Sequence, residues 1–163
     1  MKKTFLVVAA GLLFAGNLSP AIGQRVATKF DQFGDIYCND EKARLDNFVN
    51  LLRDAPEAKG YIIFYGGRWD HYPYPHRARR RFPRRGEGEA RAARLKPYIL
   101  NGWPTFKPER IVVINGGYRE TWEAELWIVP QGADPPTPTP TVKPEELRFR
   151  RGRIRKRDYH CYV

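Results

Sequence analysis

The sequence predicts an α+β fold with its elements in the order strand, helix, strand, helix, strand, strand, and three stretches carry that prediction. Leu45, Phe48, Val49 and Leu52 recur at i, i+3, i+4 and i+7, the spacing of a single apolar stripe on a helix. Tyr61 to Tyr65 are apolar or aromatic without a break, too short a run for a globular helix and rich in strand formers, and Gly66-Gly67 follows at once. Ala124, Leu126 and Ile128 alternate with Glu123, Glu125 and Trp127, the pattern of a strand with two unlike faces.

Taken in order, the segment from Gln24 to Ile36 spaces Phe30 and Phe33 with polar residues and a glycine, which reads as a short first strand and a turn. Asn39 or Asp40 is the expected N-cap of the first helix, with Glu41 in its positive first turn. That helix should run from about Asp40 to Asp54 and stop at Pro56. The central strand follows, and after it a loop over 69–86 whose prolines at 73, 75 and 83 exclude regular structure. A second helix begins at Glu87, acidic at its start and basic toward its end, with Pro97 expected to kink or end it. Arg110 to Ile114 forms the next strand, Asn115-Gly116-Gly117 a turn, and Thr121 to Val129 the last strand, so an antiparallel hairpin is the natural pairing. Residues 130–144 read as a stiff, polyproline-like linker. Residues 145–163 read as a basic hairpin or a disordered basic tail.

The first 23 residues stand apart from the fold. Lys2 and Lys3 precede an apolar run from Phe5 to about Ala15, and a small-residue ending, Ala21-Ile22-Gly23, leads to Gln24. This is the pattern of a secretory signal peptide, too short for a membrane span, so the chain is expected in the periplasm or cell envelope with no transmembrane anchor. Without Lys2 and Lys3, 27 of the 29 basic side chains remain against 18 acidic ones, a net charge of +9. Such a surface favours polyanions, anionic envelope polymers above all, and envelope proteins are second candidates; no nucleic-acid partner is expected. Cys38 and Cys161 are the two cysteines. Export makes a disulfide between them the expected state, worth roughly 4 to 5 kcal/mol in the chain-entropy picture, the alternatives being free thiols or pairing between molecules.

The loop over 69–86 carries the strongest composition signal. Arg77, Arg79, Arg80, Arg81, Arg84 and Arg85 are interleaved with Tyr72, Tyr74 and Phe82. Guanidinium groups pair with phosphate or carboxylate and rings offer stacking faces, so these six arginines are the expected polyanion-binding set; a solvated, disordered loop is the bland alternative. Catalysis has little support. His71, His76 and His160 lack the spacing of metal ligands, no nucleophile or phosphate-loop motif is present, and Glu87 with Glu89 reads as helix-start charge. A non-enzymatic chain without metal or cofactor is expected.

Several segments together resemble the OmpA-like periplasmic module, whose members bind peptidoglycan. They are FDQFGDI for the first strand, ARLDNFVNLLRDAPEAKGYIIFYGG for helix and second strand, and GEARAARLKPYIL and PERIVVINGGY for the second helix and third strand. The resemblance covers Thr28 to about Val129, so the domain is placed at 24–129. It implies a mixed sheet with two helices packed on one face. It also implies a peptidoglycan ligand, with a diaminopimelate group held by an aspartate after the second strand and an arginine early in the second helix. Arg91 stands where that arginine should. The family's glycine, histidine, threonine, aspartate run reads here as Gly66, Gly67, Arg68 and Trp69, with Asp70 one place late, so Arg68, Asp70 and Arg91 are the implied ligand residues. N-terminal sequencing of the exported protein is expected to begin at or near Gln24; a mature chain still starting at Met1 would remove the argument for compartment.

Overall fold

A computed structural model describes residues 25–70, 80–154 and 159. The signal-peptide stretch, His71, His76, Arg77, Arg79, His160 and Cys161 lie outside the described residues. The elements are β1 (Thr28–Phe33), α1 (Cys38–Asp54), β2 (Lys59–Trp69), α2 (Glu87–Ala92), α3 (Leu95–Gly102), β3 (Ile111–Thr121) and β4 (Glu123–Val129). The α+β class and the element order agree with the sequence, except that the second helical region is divided. Its break falls at Ala93-Arg94, and Pro97 lies in the first turn of α3, where a helix needs no N–H from it. The first helix starts at Cys38, with Tyr37 as its N-cap and no side-chain capping bond, two residues ahead of the expected Asp40.

The four strands form one mixed sheet in the order β1-β4-β2-β3, with β2 and β3 parallel and the other pairs antiparallel. The expected hairpin between the last two strands is therefore wrong: β3 and β4 lie on opposite sides of β2. Asn115-Gly116-Gly117 is a bulge inside β3 and not a turn. The register moves from Phe64↔Asn115 to Gly66↔Tyr118, so β3 carries one residue more than β2 across this step. Gly117 takes φ +92, and a Cβ on Gly116 would lie 2.5 Å from the ring of Tyr65, so both positions demand glycine. The chain passes from β3 to β4 through Trp122 alone, across β2 at Gly67. A Cβ on Gly67 would sit 2.7 Å from the Trp122 nitrogen, which is why glycine stands at this point of β2; the strand does not stop at Gly66-Gly67 but runs on to Trp69.

One face of the sheet is covered by helices. The predicted stripe of Leu45, Phe48, Val49 and Leu52 is fully buried against Ile62, Ala124, Leu126, Leu95 and Ile99. Each such side chain contributes roughly 1.5–3 kcal/mol. Arg44 grips both carboxylate oxygens of Asp31 at 2.7 and 2.6 Å, fixing α1 to β1. The Tyr98 hydroxyl donates to Asp46 at 2.9 Å, tying α3 to α1; burial first, then that carboxylate, pushes the phenol up to about 12.

The opposite face is covered by the proline-rich stretch, which is no linker. The Thr139 N–H donates to the Tyr65 hydroxyl at 3.0 Å, and the N–H groups of Thr141 and Val142 donate to the Tyr118 carbonyl at 2.9 and 3.1 Å. Pro136 and Val142 are buried. Polyproline-like chain has no internal backbone bonds, so its spare donors are available to cross-bond the sheet. No strand forms over 147–154, so that part of the expected basic hairpin is absent; its backbone instead docks beside the loop before α2.

Beneath this strap Glu125 is 1 % exposed and collects four side chains, one from each strand. It accepts from Lys29 at 3.1 Å, Arg119 at 2.9 Å, Trp127 at 3.0 Å and the Tyr65 hydroxyl at 3.4 Å. Burial would push its carboxyl up, but the bonds from Arg119, Trp127 and Lys29 outweigh that and hold it below its ordinary value. A folded pKa below the unfolded one gives stability above the ordinary carboxylate range that is lost as pH falls through the folded value. Glu125→Gln is expected to cost roughly 3 kcal/mol in urea unfolding at neutral pH. The gap to wild type should narrow below about pH 4. A constant gap across that range would contradict it.

Candidate functional site

The two basic regions of the sequence meet at the C-terminal end of β2. Asp70 leaves the strand and pairs with Arg81 in an antiparallel bridge, N–H to carbonyl at 2.8 and 3.3 Å, which closes the base of the arginine-rich loop. The chain then passes Pro83 and Arg84 into α2. From the other end of the sequence, the Arg150 N–H donates to the Pro83 carbonyl at 2.9 Å, and Arg84 Nη1 donates to the Arg153 carbonyl at 2.9 Å. Charge alone should drive two arginine-rich segments apart; these backbone bonds and a set of buried carboxylates hold them together.

Asp70 is at the centre of that set. Its side chain is 2 % exposed and faces Arg91 Nη2 at 2.7 Å, Arg81 Nε at 2.5 Å and Arg150 Nη2 at 3.9 Å. Arg91, equally buried, reaches Asp35 at 3.3 Å and Glu87 at 3.5 Å as well, and its guanidinium lies 5.9 Å from the Trp122 ring and 5.4 Å from the Tyr159 ring. Glu87 also accepts the Arg84 N–H at 2.8 Å and faces Arg150 at 3.8 Å. Burial, and then Glu87, push the Tyr159 phenol well above its ordinary range. Next to this network Arg94 grips Glu41 with two donors, at 2.7 and 2.5 Å, and donates to the Tyr159 carbonyl at 2.9 Å. Cys38, one turn before Glu41, is disulfide-bonded.

The residues implied by the resemblance are thus placed as follows. Arg91 and Asp70 come together, but they bind each other. The space they line together with Gly66, Glu87, Tyr118 and Phe149 is about 20 Å³. That is room for roughly one water and not for an amino acid. Arg68 stands outside the network, paired with Glu120 at 3.3 Å. Among the polyanion set, Arg81 and Arg84 serve internal bonds, while Arg80 and Arg85 are exposed. Exposed Arg148, Arg151 and Arg153 join them from the C-terminal segment. The composition of that segment marks its charge but not its docking, and Glu87, helix-start charge by its position, also anchors Arg91.

Among the described residues no group of His, Cys, Asp and Glu could hold a metal ion, and no helix is long and apolar enough to cross a membrane. A wider cleft of about 810 Å³ opens at the other end of the sheet, lined by Lys59, Tyr61, Trp103, Phe106, Lys107 and Arg110. Arg110 forms part of its wall by donating to the carbonyls of Leu52, Ala55 and Ala58 at 2.6, 2.9 and 3.0 Å, which closes the C-terminal end of α1. Compared with family models, curated proteins and solved structures, the chain matches none.

Removing one partner of a buried ion pair strands the other charge, at roughly 3–5 kcal/mol. Arg91→Ala leaves Asp70 and Glu87 buried together and is expected to lose about that much in urea unfolding. A residue serving only a ligand would leave the unfolding midpoint unchanged.

Proposed function

We propose that the chain is an exported, non-catalytic binding module of the cell envelope that holds peptidoglycan or another anionic envelope polymer through the arginine face at the end of β2. The observation that carries this reading is the joining of the two basic segments by the Pro83–Arg150 and Arg84–Arg153 bonds. It gathers Arg80, Arg85, Arg148, Arg151 and Arg153 at one end of the sheet. Descent from the OmpA-like periplasmic family fits the order of elements and the meeting of Arg91 with Asp70. In this reading the buried pair has passed from gripping a ligand to building the platform on which the outer arginines stand.

A second reading has a specific observation in its favour. Three carboxylates already neutralise Arg91, and the space beside it is too small for a peptide stem. A module that kept the fold, lost the ligand site and docks an acidic envelope protein on the same arginines would look the same at this centre.

Co-sedimentation with purified sacculi separates the two. Exposed charges act over a Debye length of about 8 Å at physiological ionic strength, so polymer binding through this face must weaken with salt. Replacing Arg80, Arg85, Arg148, Arg151 and Arg153 by Gln is expected to reduce binding at least tenfold at low salt and to flatten its salt dependence. Failure of the wild type to sediment with sacculi at any salt would leave the protein-docking reading.

A further inference from the structure

Two features of the arginine face go beyond charge. From Lys59 to Lys96, and again from Lys143 to Lys156, each intervening cation is arginine, although lysine is used elsewhere in the chain. A search for positive charge alone would not discriminate; a planar guanidinium does what an ammonium cannot, stacking on a ring while its N–H edge stays available to phosphate. The described arginines are arranged in that way. Arg68 and Arg80 lie 5.9 and 5.6 Å from the Trp69 ring, and Trp69 stacks on Phe82 at 5.0 Å with 22° between planes. Arg85 lies 4.8 Å from the Phe149 ring, which meets Tyr118 edge-on at 6.5 Å.

The second feature is that these four rings are not buried. Trp69, Phe82, Tyr118 and Phe149 each remain partly exposed, supplied by four separate stretches of chain and gathered at the end of β2. A site for a purely charged polymer has no use for partly exposed aromatic surface. A polymer that alternates phosphate with a flat ring uses both parts, since base stacking on aromatic side chains tolerates any sequence. Duplex nucleic acid hides its ring faces, whereas a single strand offers them.

We propose that this face binds single-stranded nucleic acid met outside the cytoplasm, with Trp69, Phe82 and Phe149 as stacking surfaces and Arg80 and Arg85 on the phosphates. The inference rests on the charge-driven reading above and departs from the expectation that no nucleic acid is bound. It concerns a different set of groups from the buried Asp70–Arg91 centre, which touches no ligand in this scheme.

The test uses the full chain and two probes of equal charge, a sixteen-residue oligothymidylate and linear polyphosphate. Affinity is read by competition, and tryptophan emission is followed during each titration. The oligothymidylate is expected to bind about tenfold more tightly than polyphosphate at the same salt, a modest return for stacking one or more bases, and to quench emission. In Trp69→Leu combined with Phe149→Leu, which keep apolar bulk, that advantage and the quench are expected to vanish while polyphosphate affinity is unchanged. Urea unfolding of the variant verifies that its fold is kept; should it fail to fold, Arg80→Lys with Arg85→Lys, both exposed, is expected to shrink the same advantage at constant charge. Polyphosphate binding with no advantage for the oligothymidylate would overturn the stacking inference and leave the charge-driven reading standing. Binding of neither probe at low salt would overturn both.

Discussion

The ion pair between Asp70 and Arg91 is the constraint on which the arginine-bearing end of this molecule depends. Both groups are taken out of water, a transfer that costs several kcal/mol per ion even after relaxation. What offsets it is geometry: Arg91 is met by Asp35, Asp70 and Glu87, and Asp70 by Arg81 and Arg150 as well. These partners come from the turn after β1, the end of β2, the return of the arginine loop, the first turn of α2 and the C-terminal segment. Without the carboxylates those arginines would repel one another. The acidic residues at the centre are the condition for displaying basic ones at the rim.

The reverse face of the sheet repeats the logic, again with acid at its centre. There a single carboxylate, Glu125, gathers Lys29 and Arg119, and Arg119 stacks 3.6 Å above the Tyr65 ring while donating to Thr139 of the strap at 2.7 Å. The chain thus uses arginine in three ways: as internal tie, as cap on exposed carbonyls at Arg110, and as outward donor. Which use a given arginine serves depends on whether a carboxylate or carbonyl stands within reach, and composition does not contain that information.

This explains what could be read in the sequence and what could not. The stripe of α1 and the apolar core of β2 were legible because burial imposes a period on residues close in sequence. The class and the order of elements follow from such local signals. The pairing of β3 does not: Asn-Gly-Gly is a turn signal by chemistry, and only the close approach of Tyr65 and the crossing at Gly67 make it a bulge. Proline-rich composition likewise states that a segment is extended, not whether its free donors meet water or a sheet. At the site, the family resemblance implies Arg91 and Asp70 only as two grips on a ligand, whereas here they bind each other. The closure of the site could not be read from the sequence, because Arg150 and Tyr159 arrive from some sixty residues beyond α2 and carry no local mark of their destination.

The placing of β4 between β1 and β2 has a consequence for how the chain acquires its form. The first two strands do not pair; Thr28 is joined to the sheet through Ile128, and Tyr61 meets β1's side by way of Trp127. Loop closure over such a separation must be completed before its contacts stabilise anything. An emerging chain would hold α1 against β2 and then β2 against β3, yet the sheet would stay in two parts until the seven residues of β4 slide into the gap. Closure is late, and one strand decides it.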